Sequence, residues 1–268
     1  MLPKRRRLSA MISLSEQPIA VFDSGVGGIS VLAEATRLLP NEDFIFYGDN
    51  ANAPYGSKSA DEIVGLCRRV TEHLLSQNVK AILIACNTAT SAYAAKLRAE
   101  IALPVIGMEP AIKPASLVRK NGVVLALATK ATLTLDKFER LMQRYGEGGI
   151  PLEGKGFVEM VEQGRADSRD AFELVQKELT PYLNRPVDGI VLGCTHYPFL
   201  RKHFEALFPG VPIFDGREGT ARQLKRRLQQ SGLLRQGAAP GSVRFETSGN
   251  EENLRLMNRL YLSLKETP

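Results

Sequence analysis

Two short apolar runs, each ending in a cysteine, constrain this chain more than any other feature. The first is Ala81-Ile82-Leu83-Ile84-Ala85 followed by Cys86-Asn87-Thr88; the second is Ile190-Val191-Leu192-Gly193 followed by Cys194-Thr195-His196. Runs this short and free of polar residues suit strands buried on both faces of a parallel sheet. In such sheets ligands sit beyond the carboxyl ends of the strands, where both thiols fall. Two thiols brought to one site from two similar halves point to two-sided acid/base chemistry on a small molecule.

The rest of the chain supports that architecture. Ile19 to Phe22 reads as a strand ending at Asp23, a helix follows from Ile29 to Leu39, and Phe44 to Tyr47 is a second strand. Ser59 with Glu62 three residues on makes a capping box. The helix it opens carries Ile63, Leu66, Cys67, Val70 and Leu74 on one stripe, which places Cys67 in the core. After the first cysteine strand come a helix to about Ala99 and a strand at Pro104 to Gly107. The pattern then restarts, with a strand from Gly122 to Ala128, helices at 133–144 and 171–179, and the second cysteine strand. Asp23 precedes Cys86 by 63 residues and Thr129 precedes Cys194 by 65, a spacing expected of two related halves. Helices are expected at 200–208, 220–234 and 252–265, and a strand at Val211 to Asp215.

The expected fold is therefore α/β: two similar doubly wound domains with mainly parallel sheets and right-handed crossovers, the active site in the cleft between them. The first domain spans 18–112 plus 212–268 and carries Cys86. The second spans 113–211 and carries Cys194. The hinge is expected at Met108 to Pro114, with the return near Pro209 to Pro212. Residues 1–17 read as a flexible basic extension, and either Met1 or Met11 can serve as the start.

Composition closes off several functional classes. No apolar stretch approaches the roughly 20 residues of a membrane span, and the first residues have no apolar core of a secretory signal. Three cysteines without a close CxxC fit neither a disulfide scaffold nor a zinc site, and point to a reduced, cytoplasmic setting. The net charge of +6 owes much to Lys4-Arg5-Arg6-Arg7 and Lys225-Arg226-Arg227. No aromatic residues interleave these runs as a single-stranded nucleic-acid platform requires.

Gly25-Val26-Gly27-Gly28 follows a strand, as a dinucleotide fingerprint does, but Ser30 stands where the third glycine belongs and Asp23 faces the place of the phosphate. The turn instead opens a helix whose N-terminal amides suit a carboxylate, with Asp23 meeting an amine or a thiol. Cys194-Thr195-His196-Tyr197-Pro198 sets a thiol, a hydroxyl and an imidazole within three positions. A thiol of ordinary pKa about 8.5 can be tuned toward neutrality by a helix N-terminus or a cation. Two opposed thiols, one ionised and one protonated, invert a carbon centre; a single base returns the proton to the face it left.

Phe22-Asp23-Ser24-Gly25-Val26-Gly27-Gly28, Gly48-Asp49-Asn50 with Pro54-Tyr55-Gly56, Ala85-Cys86-Asn87-Thr88-Ala89 and Gly193-Cys194-Thr195-His196-Tyr197-Pro198 occur in the order of a known family. On these stretches the chain resembles the glutamate racemases of the cofactor-independent aspartate/glutamate racemase superfamily. His196 favours the glutamate branch, since related aspartate and hydantoin racemases generally carry Glu there. The resemblance implies interconversion of L-glutamate and D-glutamate for peptidoglycan synthesis, with no metal, nucleotide or other cofactor. Cys86 and Cys194 would be the acid/base pair, the first acting on D-glutamate and the second on L-glutamate, with Asp23 assisting Cys86 and His196 and Glu162 assisting Cys194. Ser24, Asn87, Thr88 and Thr195 would hold the amino and α-carboxylate groups, Tyr55 and Gly56 would help position the side-chain carboxylate, and Asp23 and His196 would also bind substrate. Gly154-Lys155-Gly156 stands where the family commonly has Cys-Pro, and Ala128-Thr129-Lys130-Ala131-Thr132 departs from its Gly-Thr-x-Gly-Thr, which leaves the parts played by Glu162, Thr129 and Thr132 open. The resemblance also implies a homodimer or monomer–dimer equilibrium and the activator UDP-N-acetylmuramoyl-L-alanine. DNA gyrase comes with it as a further partner, for which nothing in the residues speaks.

Overall fold

The computed structural model describes residues 13–266, so the basic run at 4–7 and Met11 lie outside the described residues. The strands are β1 (Ile19–Asp23), β2 (Phe44–Gly48), β3 (Ala81–Ile84), β4 (Val105–Gly107), β5 (Val123–Ala128), β6 (Gly149–Glu153), β7 (Val187–Leu192), β8 (Ile213–Asp215) and β9 (Val243–Thr247). They form two sheets, ordered β4-β3-β1-β2-β9 and β6-β5-β7-β8, and every pairing is parallel. Helices α1 (Ile29–Leu38), α2 (Ala60–Leu75), α3 (Asn87–Glu100), α4 (Ile112–Ser116), α5 (Lys130–Thr134) and α6 (Asp136–Tyr145) alternate with the strands. So do α7 (Phe157–Glu162), α8 (Arg169–Leu179), α9 (Arg201–Leu207), α10 (Arg217–Gln230) and α11 (Glu251–Glu266).

Alternation along the strands explains the layers, because successive side chains leave opposite faces of a sheet. Ala20, Phe22, Ile82 and Ile84 meet Ile63, Leu66, Cys67 and Leu97 of α2 and α3. Ile19, Val21, Ala81 and Leu83 turn the other way, toward Val31, Leu32, Leu224 and Met257 of α1, α10 and α11. The second sheet repeats this, with Leu125 and Ile190 against Phe157, Val175 and Phe204, and Val124, Ala126 and Val191 against Ile112 and Phe138. Cys67 is fully buried, and the Ser59–Glu62 capping box forms as its spacing requires.

Three local features differ from expectation. Strands β6 and β9 were not foreseen, and both are sheet edges. Pro151 and Glu153 break up the first, while Val243-Arg244-Phe245-Glu246 alternates in the second, so neither reads as an unbroken apolar run. The helix expected at 133–144 is two, parted at Leu135, which is extended at φ −88°, ψ 135°. Strand β8 pairs with β7, so the return crossing, expected near 209–212, follows Asp215.

One ion pair lies inside the first lobe. Lys80, just ahead of β3, is enclosed and bonds Glu42 and the Ser15 carbonyl, the latter at 2.5 Å; Glu42 also accepts the Arg235 N–H at 2.9 Å.

Candidate active site

Parallel strands deliver their carboxyl ends to one side of a sheet, and here the two sheets aim those ends at a common cleft. Asp23 closes β1. Cys86 caps α3 just after β3, its Sγ accepting the Ala89 N–H at 3.4 Å. Thr129 caps α5 after β5, and Cys194 follows β7. Ser24, Tyr55, Gly56, Cys86, Asn87 and Thr88 from the first lobe share a cavity with Thr129, Thr132, Gly193, Cys194, Thr195 and His196 from the second. Only about 10 Å³ of it can hold the centre of a water molecule, room for about one water.

The two sulfurs have different surroundings. Cys86 donates to Ser24 Oγ at 3.7 Å, and Ser24 Oγ donates to Asp23 Oδ1 at 3.4 Å. Burial, reinforced by the nearby Asp23 carboxyl, pushes the Cys86 thiol up to about 12 against the pull of the Ala89 amide. This sulfur is a protonated thiol at neutral pH. Cys194 Sγ instead lies 3.7 Å from His196 Nδ1, and His196 Nε2 donates to Glu162 Oε1 at 2.6 Å. Burial alone would depress the imidazole, but its bonds to Cys194 and Glu162 raise it well above the ordinary histidine value. His196 is thus held between the Glu162 carboxylate and the Cys194 sulfur, within bonding reach of both.

Asp23 and Glu162 complete the charges. Burial raises Asp23 from its usual value, opposed by His196, the Gly25 N–H at 3.0 Å and the Thr195 hydroxyl at 2.9 Å. Burial also works against ionised Glu162, yet His196, the Val26 N–H at 2.7 Å and Asn50 Nδ2 at 2.9 Å hold it below its usual value. Asn87 is the exception to this thorough pairing: it is buried, and neither atom of its amide has a hydrogen-bond partner among the described residues. Buried polar groups of this kind seldom go unmatched, so both atoms are available to a ligand's donor and acceptor.

The sequence profile of the Asp/Glu/Hydantoin racemase family matches residues 26–224. The chain belongs to that racemase family. A glutamate racemase from Clostridium perfringens is 43% identical over 256 residues, which cover 94% of this chain and 98% of the relative. Among solved structures, the Thermus thermophilus glutamate racemase in complex with beta-chloro-D-alanine superposes with a TM-score of 0.77 at 36% identity, covering 92% of this chain and 93% of that one. The Escherichia coli glutamate racemase, solved with L-glutamate and activator UDP-MurNAc-ala, gives 0.79 at 31% identity, with 91% and 95% covered.

Against this racemase background, the residues singled out in the sequence fall unevenly. Asp23, Ser24, Cys86, Asn87, Thr88, Cys194, Thr195 and His196 all gather at the cavity. Tyr55 and Gly56 line it too, although the Tyr55 hydroxyl is committed to Asp49 Oδ2 at 2.6 Å. Glu162 stands behind His196 rather than among the lining residues. Thr129 and Thr132 join Thr88 in a triangle of hydroxyls with sides of 3.0–3.1 Å. Asp49 and Asn50, motif residues to which the resemblance gives no task, bond Tyr55 and Glu162. Among the described residues no group of three or more His, Cys, Asp or Glu could hold a metal ion, and no helix is long and apolar enough to cross a membrane.

The glycine turn is explained by close approach. A Cβ on Gly27 would stand 2.4 Å from His196 Nδ1 and 2.6 Å from Thr195 Oγ1, and one on Gly25 would stand 1.9 Å from Glu162 Oε1. Gly27→Ala is therefore expected to push the imidazole off Cys194 and cost about 10²-fold in turnover, as misplacement by an ångström can. Steady-state rates beside a thermal melt check it: a fully active variant would show that His196 has slack the geometry denies.

Proposed function

We propose that this chain interconverts L-glutamate and D-glutamate by a two-thiol mechanism that needs no cofactor, and so supplies D-glutamate for peptidoglycan. The observation that carries the reading is the pair of buried sulfurs facing one cavity, Cys86 beside Ser24 and Asp23 and Cys194 beside His196. The identity to glutamate racemases across nearly the whole chain supports the substrate.

In the L-to-D direction the Cys194 thiolate, backed by His196 and Glu162, removes the Cα proton. Cys86 then gives its own proton to the opposite face, leaving Cys194 a thiol and Cys86 a thiolate; the D-to-L direction starts from that second state. Asp23 and Ser24 serve the Cys86 side. Asn87 meets both the ammonium and the α-carboxylate, aided by Thr88 and Thr195, while the loop at Tyr55 and Gly56 positions the side-chain carboxylate. The Cys86 lobe is residues 18–112 with the chain after Asp215, the Cys194 lobe lies between, and the two part to admit substrate. Three free cysteines fit work in the cytoplasm, where thiols stay reduced.

The test is incubation with each enantiomer in deuterated water, following optical rotation and the mass of the product. Racemisation with one deuterium at Cα is expected with glutamate. Failure with glutamate together with turnover of aspartate, hydantoins or malonates would move the chain to another branch of the superfamily.

UDP-MurNAc-ala, the activator named for the E. coli relative, extends the same proposal. A groove of about 450 Å³ carries Lys113, Arg140 and Arg144, cations that suit a pyrophosphate, and it shares Thr132 with the active-site cavity. Severalfold faster racemisation in its presence is the expected result; an unchanged rate removes the activator from this reading.

A further inference from the structure

Strand β9 lies beyond the residues that the family profile matches, yet it reaches the site through one hydroxyl. Thr247 Oγ1 donates to Asn50 Oδ1 at 2.8 Å, and Asn50 Nδ2 donates to Glu162 Oε2 at 2.9 Å. The other oxygen of Glu162 receives His196 and the Val26 N–H. The direction of these bonds is settled by counting protons. The Glu162 carboxylate can only accept, so the Asn50 amide must present its NH2 to it; flipped, it would set one acceptor against another. The Asn50 oxygen then faces Thr247 Oγ1, which accepts the Gly249 N–H at 2.9 Å and gives its single proton to that oxygen.

We infer that Asn50 and Thr247 form a positioning pair that fixes Glu162 against His196 from the edge of the first sheet. Glu162 ends the short helix α7 of the second lobe, and Asn50 and Val26 draw its carboxylate across the cleft. His196 is faced by Glu162 from α7, by Cys194 and Thr195 from the segment after β7, and by Asp23 from β1. Cys86 lines the same cavity, and Tyr197 is buried beside Cys194. Of these groups, Glu162 is the one that Asn50 holds. The effect on turnover rests on the proposed racemisation; the effect on the imidazole does not.

The chain has three histidines, His73, His196 and His203, so side-chain NMR of the full-length protein can follow His196, assigned with His196→Asn. Asn50→Ala is expected to lower the His196 pKa by about one unit, since a carboxylate partner that drifts away stabilises the imidazolium less. Thr247→Val should lower it less and in the same direction, while Thr247→Ser, which keeps the hydroxyl, should match wild type. The alkaline limb of the kcat profile should move to lower pH in the same order. An unchanged His196 titration in both Asn50→Ala and Thr247→Val overturns the inference, as does a drop in Thr247→Ser equal to that in Thr247→Val. Should Asn50→Ala not fold, the Thr247 pair decides it. Absence of glutamate racemisation in wild type would defeat the proposed function and leave the titration result to be read by itself.

Discussion

Cys86→Ser and Cys194→Ser are each expected to lower racemisation in both directions by about 10²–10⁴-fold, the range for losing a positioned acid or base. A serine hydroxyl at either place ionises too reluctantly to serve as base, and inversion needs both faces. The two variants should nevertheless differ in the proton exchange they retain. Cys86→Ser keeps the His196-backed sulfur, so L-glutamate should still exchange its Cα proton with deuterated water without inverting. Cys194→Ser keeps a sulfur whose pKa stands at about 12, so D-glutamate should exchange slowly, and faster as pH rises toward that value. Cα deuteration of each enantiomer, read by mass spectrometry between pH 7 and 10, measures both. Equal turnover by wild type and Cys194→Ser would sink the two-thiol mechanism.

The contrast between those variants also marks where sequence reading stopped. Ile82-Leu83-Ile84 and Ile190-Val191-Leu192 announced themselves because a strand buried on both faces leaves no polar position, and the residue after such a strand is placed by the sheet itself. Cys86, Cys194 and Asp23 were legible for that reason. Edge strands carry no such signature: β9 alternates apolar and charged residues, so Thr247, at its end, stayed invisible together with its link to Asn50. Glu162 was legible only through family resemblance, because its place depends on how α7 packs against the other lobe. The surroundings of the two sulfurs were legible through the resemblance alone. The same residue type at two equivalent strand ends meets different neighbours, Asp23 from the adjacent strand β1 beside Cys86 and His196 two residues on beside Cys194.

Away from the chemistry, Glu42→Ala is expected to destabilise the protein by about 3–5 kcal/mol, a large share of the roughly 5–15 kcal/mol of a typical domain. The Lys80 side chain has no exposed surface and that of Glu42 is 3% exposed, so removing the carboxylate strands an ammonium in the core with the Ser15 carbonyl as its remaining bonded partner. Burial already draws Lys80 below the ordinary lysine value, with Glu42 pulling it back up; without Glu42 it should fall further. The sign of the pH dependence follows. A lysine whose folded pKa is depressed binds fewer protons folded than unfolded, so stability rises with pH between the folded and unfolded values. Urea melts of Glu42→Ala should therefore regain stability relative to wild type as pH climbs from 7 toward 10. The double variant Glu42→Leu/Lys80→Met removes both charges and replaces them with apolar volume, and should recover most of the loss, because a buried pair is costlier to break than to replace. A single variant as stable as wild type at pH 7 would mean that water reaches Lys80. The pair would then do nothing to hold the loop after α1, the start of β3 and the Arg235 segment together beneath the strands that carry Asp23 and Cys86.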